Sequence, residues 1–124
     1  LCDYAFTTSD NKLSIIGEFD SLMGSGGVAT LTQGFVVGSF DIVGSIKEGR
    51  VLVKFLDNYG NNFSPDKELI FHGNGAGGRV NLLVKLINLQ FSVAGRYTIE
   101  FCDIKGKALG STFLDVSFPS VVRE

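Results

Sequence analysis

The chain has 124 residues, with thirteen acids against eleven bases, 44% hydrophobic residues including eleven Phe, and no Trp. A domain of that length buries roughly two thirds of its unfolded surface, and a composition so apolar excludes a disordered body. A formal charge of −2 with no block of either sign excludes the basic footprint that nucleic acid or an anionic membrane requires, and no run of about 18 apolar residues offers a spanning helix.

Residues 2 to 8 and 13 to 20 read as two strands around the turn formers Ser9-Asp10-Asn11-Lys12. Residues 21 to 34 hold four Gly and no charge, which predicts a long connection across the end of a sandwich. A strand follows over 35 to 43, then a turn-rich stretch from Gly44 to Gly49. Residues 50 to 57 form the first arm of a hairpin whose second arm Pro65 interrupts, leaving Asp66 to His72 as a short strand at an edge. Gly73 to Gly78 reads as a second flexible connection. Over 79 to 91, Val80, Leu83, Val84 and Ile87 fit a helical stripe, while Val80, Leu82, Val84 and Leu86 fit strand alternation equally well. The β context and the absence of a helix cap favour a strand. Residues 96 to 103 and 107 to 118 complete a second hairpin, with Lys105-Gly106 in its turn.

The two hairpins carry one pattern. Val53-Lys54-Phe55-Leu56-Asp57-Asn58-Tyr59-Gly60 recurs 46 residues on, from 53 to 99, as Ile99-Glu100-Phe101-Cys102-Asp103-Ile104-Lys105-Gly106. Alternation puts Val53 with Phe55, and Ile99 with Phe101, on one face. The Asp carboxylate can accept from backbone two residues on, and Gly closes the turn where a positive φ is needed. Before the second hairpin, Leu89 to Tyr97 reads as a corner between sheets, with Tyr97 buried and its hydroxyl tied to the backbone. Together these elements predict a single all-β domain over 1–124, an antiparallel, immunoglobulin-like β-sandwich of seven to nine strands.

Candidate chemistry is sparse. Gly73-Asn74-Gly75-Ala76-Gly77-Gly78 matches G-x-G-x-x-G, but no helix follows to aim amides at a phosphate, so it reads as a loop. Asp57, Asn58, Asn61, Asn62 and Asp66 are oxygen donors in one turn, yet their spacing is not that of an EF-hand and turn formation explains them. His72, the only histidine, has no ligand-pair partner and no evident nucleophile, so it reads as an ordinary strand-end residue. Cys2 and Cys102 are too few for a disulfide framework; one bridge is geometrically conceivable, and two reduced thiols is the simpler reading.

Two features point toward binding. Tyr59, at a hairpin tip, is the aromatic expected in solvent. Several strands are apolar on both faces: Leu52 and Leu56 oppose Val53 and Phe55, and Leu83 and Ile87 oppose Val80, Leu82, Val84 and Leu86. A sandwich normally shows water one face of each sheet, so the surplus suggests a protein partner on an outer face or a free edge.

The opening Cys2-Asp3-Tyr4-Ala5-Phe6, the stretch Lys12 to Asp20, and the late Gly95-Arg96-Tyr97-Thr98-Ile99 resemble a family of small bacterial proteins known only as a domain of unknown function. The resemblance implies a β-sandwich without known catalysis and supplies no functional residue. The expectation is therefore a non-enzymatic binding or assembly module that docks a protein partner or a second copy, with Tyr59, Asn61, Asn62, Leu52 and Leu56 as candidate contacts. No cofactor, metal, nucleic acid or membrane is implied, and the expected compartment is the cytoplasm, although a start at Leu1 leaves room for a removed leader. The alternative is a small-ligand or glycan binder using the loops near Tyr59 and Gly73 to Gly78; an enzyme ranks third.

Overall fold

A computed structural model describes residues 1–8, 12–42, 48–72 and 78–119, and none of these is helical. The predicted turn formers at 9–11, most of the 44–49 turn and the glycine-rich 73–77 lie outside the described residues. Nine strands follow in order: β1 (Cys2–Thr7), β2 (Leu13–Glu18), β3 (Ser21–Met23), β4 (Ala29–Ile42), β5 (Glu48–Leu56), β6 (Asn62–His72), β7 (Gly78–Phe91), β8 (Gly95–Cys102) and β9 (Ala108–Ser117).

They form a four-stranded sheet, β2-β1-β4-β7, and a five-stranded sheet, β3-β9-β8-β5-β6. The pairings are antiparallel except for the three-residue β3, which runs parallel to β9. In the immunoglobulin arrangement one sheet runs A-B-E-D and the other C-F-G. Here β1, β4 and β7 take the A, B and E places, β5, β8 and β9 take C, F and G, and β6 extends the second sheet beyond β5. No described strand takes the D place beside β7, because only residues 73–77 separate β6 from β7.

The inner faces meet in one apolar cluster. Val36, Val84 and Leu86 of the first sheet pack with Val53, Phe55, Ile99 and Phe101 of the second. Two of these, Phe55 and Phe101, are the matched Phe residues of the repeat. The long β4–β7 pair keeps one register throughout, yet its inward set shifts by one position. Gly34, Val36 and Gly38 are buried near one end, Ala29 and Leu31 near the other. The switch falls at Thr32 and Asn88, where the paired ladder is interrupted and Asn88 takes a left-handed φ of 51°. Asn accepts that conformation more readily than most side chains.

Two predicted elements have different bounds. β4 begins at Ala29 rather than 35, since Ala29 and Leu31 are buried while Thr30 and Thr32 are exposed, a period-two pattern hidden by the surrounding glycines. The tight turn is confined to Ser25–Val28. β6 also runs straight through Pro65: Pro65 and Asp66 together oppose Lys54, a β-bulge on an edge strand that tolerates a residue without an N–H.

The corner between β7 and β8 forms as predicted. Tyr97 is 7% exposed, and its hydroxyl donates to the Val93 carbonyl at 2.6 Å. Its ring lies 4.6 Å from Phe91 of the opposite sheet and 5.0 Å from Phe63 of β6, both edge-on. Tyr97→Phe removes the hydroxyl that donates to that carbonyl and is expected to cost about 1 to 3 kcal/mol in urea unfolding; an unchanged midpoint would contradict the tie. Burial also raises the Tyr97 phenol above its ordinary value. The unfolded tyrosine therefore ionises first, at about pH 10, and the folded state loses stability as pH rises past it. That alkaline loss is expected to shrink in Tyr97→Phe.

Candidate functional site

The two repeated turns close identically. In the first, the Asp57 carboxylate accepts from the backbone N–H of Tyr59 and of Asn61, both at 2.9 Å, while Gly60 N–H donates to the Asp57 carbonyl at 3.1 Å. In the second, Asp103 accepts from Lys105 at 2.9 Å and Lys107 at 2.8 Å, and Gly106 N–H donates to the Asp103 carbonyl at 3.0 Å. Gly60 and Gly106 have φ of 81° and 87°, a conformation most side chains resist. Because β5 and β8 are antiparallel neighbours, the turns lie at opposite ends of the sandwich.

Tyr59 stands 81% exposed at the first turn, as predicted. Asn61 spends its backbone N–H and C=O on Asp57, and the Asn62 amide donates to the Asp66 carboxylate at 2.8 Å. The two carboxylates of this turn, Asp57 and Asp66, are thus engaged within it. Tyr59 does line a cleft of about 200 Å³ together with Asp57, Gln90, Val93 and Tyr97, whereas Asn61 and Asn62 lie outside it. The cleft arises because the first turn and the β7–β8 corner share one end of the molecule. A broader, open depression of about 430 Å³ lies between Leu1, Glu18, Asp20 and Phe113. His72 sits exposed at the end of β6, opposite Glu48.

Leu52 and Leu56 are half-buried on the outer face of the five-stranded sheet. Leu52 lies opposite Glu68 and Cys102, Leu56 opposite Asn62 and Thr98. Charge surrounds them. Arg50 pairs with Glu68 at 3.3 Å, and Arg96 grips Asp115 through two hydrogen bonds at 2.8 and 3.0 Å while stacking 3.9 Å above the Phe113 ring. The Arg96 hydrogen bonds hold the Asp115 carboxyl below its ordinary range. This face is a mixed, ion-paired surface.

The outer face of the four-stranded sheet is different. Tyr4 is 47% exposed, Ile16 55% and Ile87 58%. Tyr4 lies directly opposite Ile16, and its ring meets Phe6 at 5.7 Å and Phe35 at 5.4 Å. Phe35 faces outward beside inward Val36, and the β4–β7 register puts Ile87 on that same outward set, opposite Gln33. The outward placement of Leu83 and Ile87 follows the sequence pattern, but Tyr4, Phe6, Ile16 and Phe35 were missed there. The available signal was Tyr4-Ala5-Phe6: with Ala5 buried, alternation sends both rings outward.

Both thiols are free and buried, Cys2 in the four-stranded sheet and Cys102 in the five-stranded one. Burial, with a hydrogen bond from the thiol to the Glu100 carboxylate at 3.0 Å, pushes Cys102 up to about 11, and burial also raises Cys2. Among the described residues no group of three His, Cys, Asp or Glu could hold a metal ion. A thiol reagent at pH 8 is therefore expected to find two free thiols in the denatured, unreduced chain and to label neither rapidly in the native one, since only the thiolate reacts. Rapid native labelling, or fewer than two thiols on denaturation, would contradict this placement.

No curated protein and no solved structure matches the chain. Residues 1–117 match DUF6941, a family of unknown function. That match spans all nine strands, and the chain belongs to this family.

Proposed function

We propose that the protein is a non-enzymatic binding or assembly module that docks a protein, either a different chain or a second copy. The observation that carries this reading is the aromatic and aliphatic surface of exposed Tyr4, Phe6, Ile16 and Ile87 with half-buried Phe35 on one outer sheet face. The water-facing side of an antiparallel sheet is ordinarily polar, and a contiguous apolar patch commonly marks an interface. Aromatic side chains are favoured there because they bring large contact area at small entropic cost. The unbridged cysteines suit a reducing compartment, in keeping with a bacterial cytoplasm.

A small-ligand site is the second reading, favoured by the cleft between Tyr59 and the Tyr97 corner. Its volume of about 200 Å³ is below the roughly 300–1,000 Å³ usual for ligand sites, which ranks it behind protein docking.

The docking reading is tested by replacing Tyr4 and Ile16 together with Ser. Both are exposed, so the melting temperature is expected to stay nearly unchanged, while self-association by light scattering, or retention of a protein partner in native purification, falls at least about tenfold. A wild-type chain that is monomeric at every concentration and retains no partner would overturn the reading. The cleft is tested by a thermal-shift screen of glycans and metabolites: stabilisation that Tyr59→Ala abolishes would favour it, and none across a broad panel would remove it.

A further inference from the structure

The sandwich has four sheet edges, and three of them are guarded. β3 is only three residues long. β2 has six residues and is broken near its end by Gly17 at φ 69°. β6 carries a bulge with Pro65, followed by the charged run Asp66-Lys67-Glu68. Short strands, bulges, proline and charge are the ordinary devices that keep an edge from pairing.

The fourth edge is long, without proline or bulge, and of these devices carries only the charges of Arg79 and Lys85. β7 runs for 14 residues and among the described residues pairs on one side only, with β4. Its free side is where strand D lies in the immunoglobulin order, and residues 73–77 are too few to supply a strand and its two turns. A long row of backbone N–H and C=O groups is thereby left for a strand from elsewhere.

Resting on the docking reading above, we infer that this edge takes the β7 strand of a second copy, antiparallel about a twofold axis at Leu83. The regular part of β7 lies between Gly78, with φ 127°, and Asn88, with φ 51°, and Leu83 is its midpoint. In that register Gly78 meets Asn88, Arg79 meets Ile87, and Asn81 meets Lys85 of the other copy. Arg79 and Lys85 are the only charged residues on β7; each faces an uncharged partner, and Arg79, diagonal to Lys85 of the other copy, is offset by its ion pair with Asp41 at 3.3 Å. Shifts that pair Lys85 with itself or with Arg79 set like charges opposite each other, which is unfavourable. Inward, Val84 meets Leu82 and Leu86 meets Val80, so apolar residues also match across the junction. Two four-stranded sheets become one eight-stranded sheet, with the Phe35 and Ile87 surfaces of both copies on a continuous outer face. The twofold makes the contact self-complementary and closed, so it stops at a dimer.

Sedimentation equilibrium of the full chain tests this, using wild type, Asn81→Leu, Asn81→Lys and Asn81→Glu. Wild type is expected to approach twice the 13.3 kDa monomer mass as concentration rises to about 1 mM. Each dimer contains the Asn81–Lys85 pair twice, so Asn81→Lys is expected to weaken association about tenfold and Asn81→Glu to strengthen it by a similar factor. Asn81 accepts an exposed hydrogen bond from the Ser39 hydroxyl that Glu can still accept and Lys cannot, so Asn81→Leu, which loses that bond without adding charge, is the baseline against which both charged variants are read. A wild-type chain that stays monomeric overturns the inference while leaving docking of a different protein standing. A dimer indifferent to both charged variants also overturns it, and loss of that dimer in the Tyr4, Ile16 double Ser variant would move the contact to the sheet face.

Discussion

The two sheets are held in their relation by the corner through which the chain passes from β7 to β8. Residues 92–94 turn the backbone from one sheet to the other, and the Tyr97 hydroxyl fixes that turn by donating to the Val93 carbonyl at 2.6 Å. The Tyr97 ring then fills the space between layers against Phe91 and Phe63. One residue thereby satisfies a backbone acceptor, anchors the aromatic end of the core and sets the start of β8. The positions of Ile99 and Phe101 follow by alternation, and β8 in turn aligns β5 and β9 on either side of it.

Just before that corner, β7 undergoes a change of face at Asn88. This lets one strand serve two parts of the core: Leu82, Val84 and Leu86 on one side of the switch, Phe91 on the other. A strand pinned at its C-terminal end and paired in a single long register with β4 is rigid along its length. Its outer edge is therefore held extended by the fold itself, which has already met the ordering entropy of that strand.

Legibility in the sequence tracked the range of the interactions involved. The repeated turns were readable because Asp57 and Asp103 bond to residues within four positions of themselves. The Tyr97 corner was readable for the same reason. Strand alternation assigned inward and outward residues in β5, β7 and β8, including the exposed Ile87. It failed over Gly24 to Gly34, where the glycines masked the alternating Ala29 and Leu31, and at Pro65, whose bulge depends on how Lys54 sits across the strand pair. The candidate surface was only half legible. Leu52 and Leu56 look like an apolar pair in sequence, yet the neighbours that place charge around them, Glu68 and Arg96 among them, come from other strands. The Tyr4 to Phe35 contact joins β1 to β4 and leaves no local trace.

The proposed closure of the open β7 edge by a second copy changes which backbone amides of that strand are free. Amide hydrogen exchange along Gly78–Asn88, followed from dilute to concentrated protein, tests it most directly because outward N–H groups exchange freely only while unpaired. Alternate amides of this segment are expected to exchange fast in dilute solution and to become protected as concentration rises, while amides bonded to β4 stay protected throughout. Outward amides that remain equally fast at every concentration, or that are already protected at high dilution, would contradict the account.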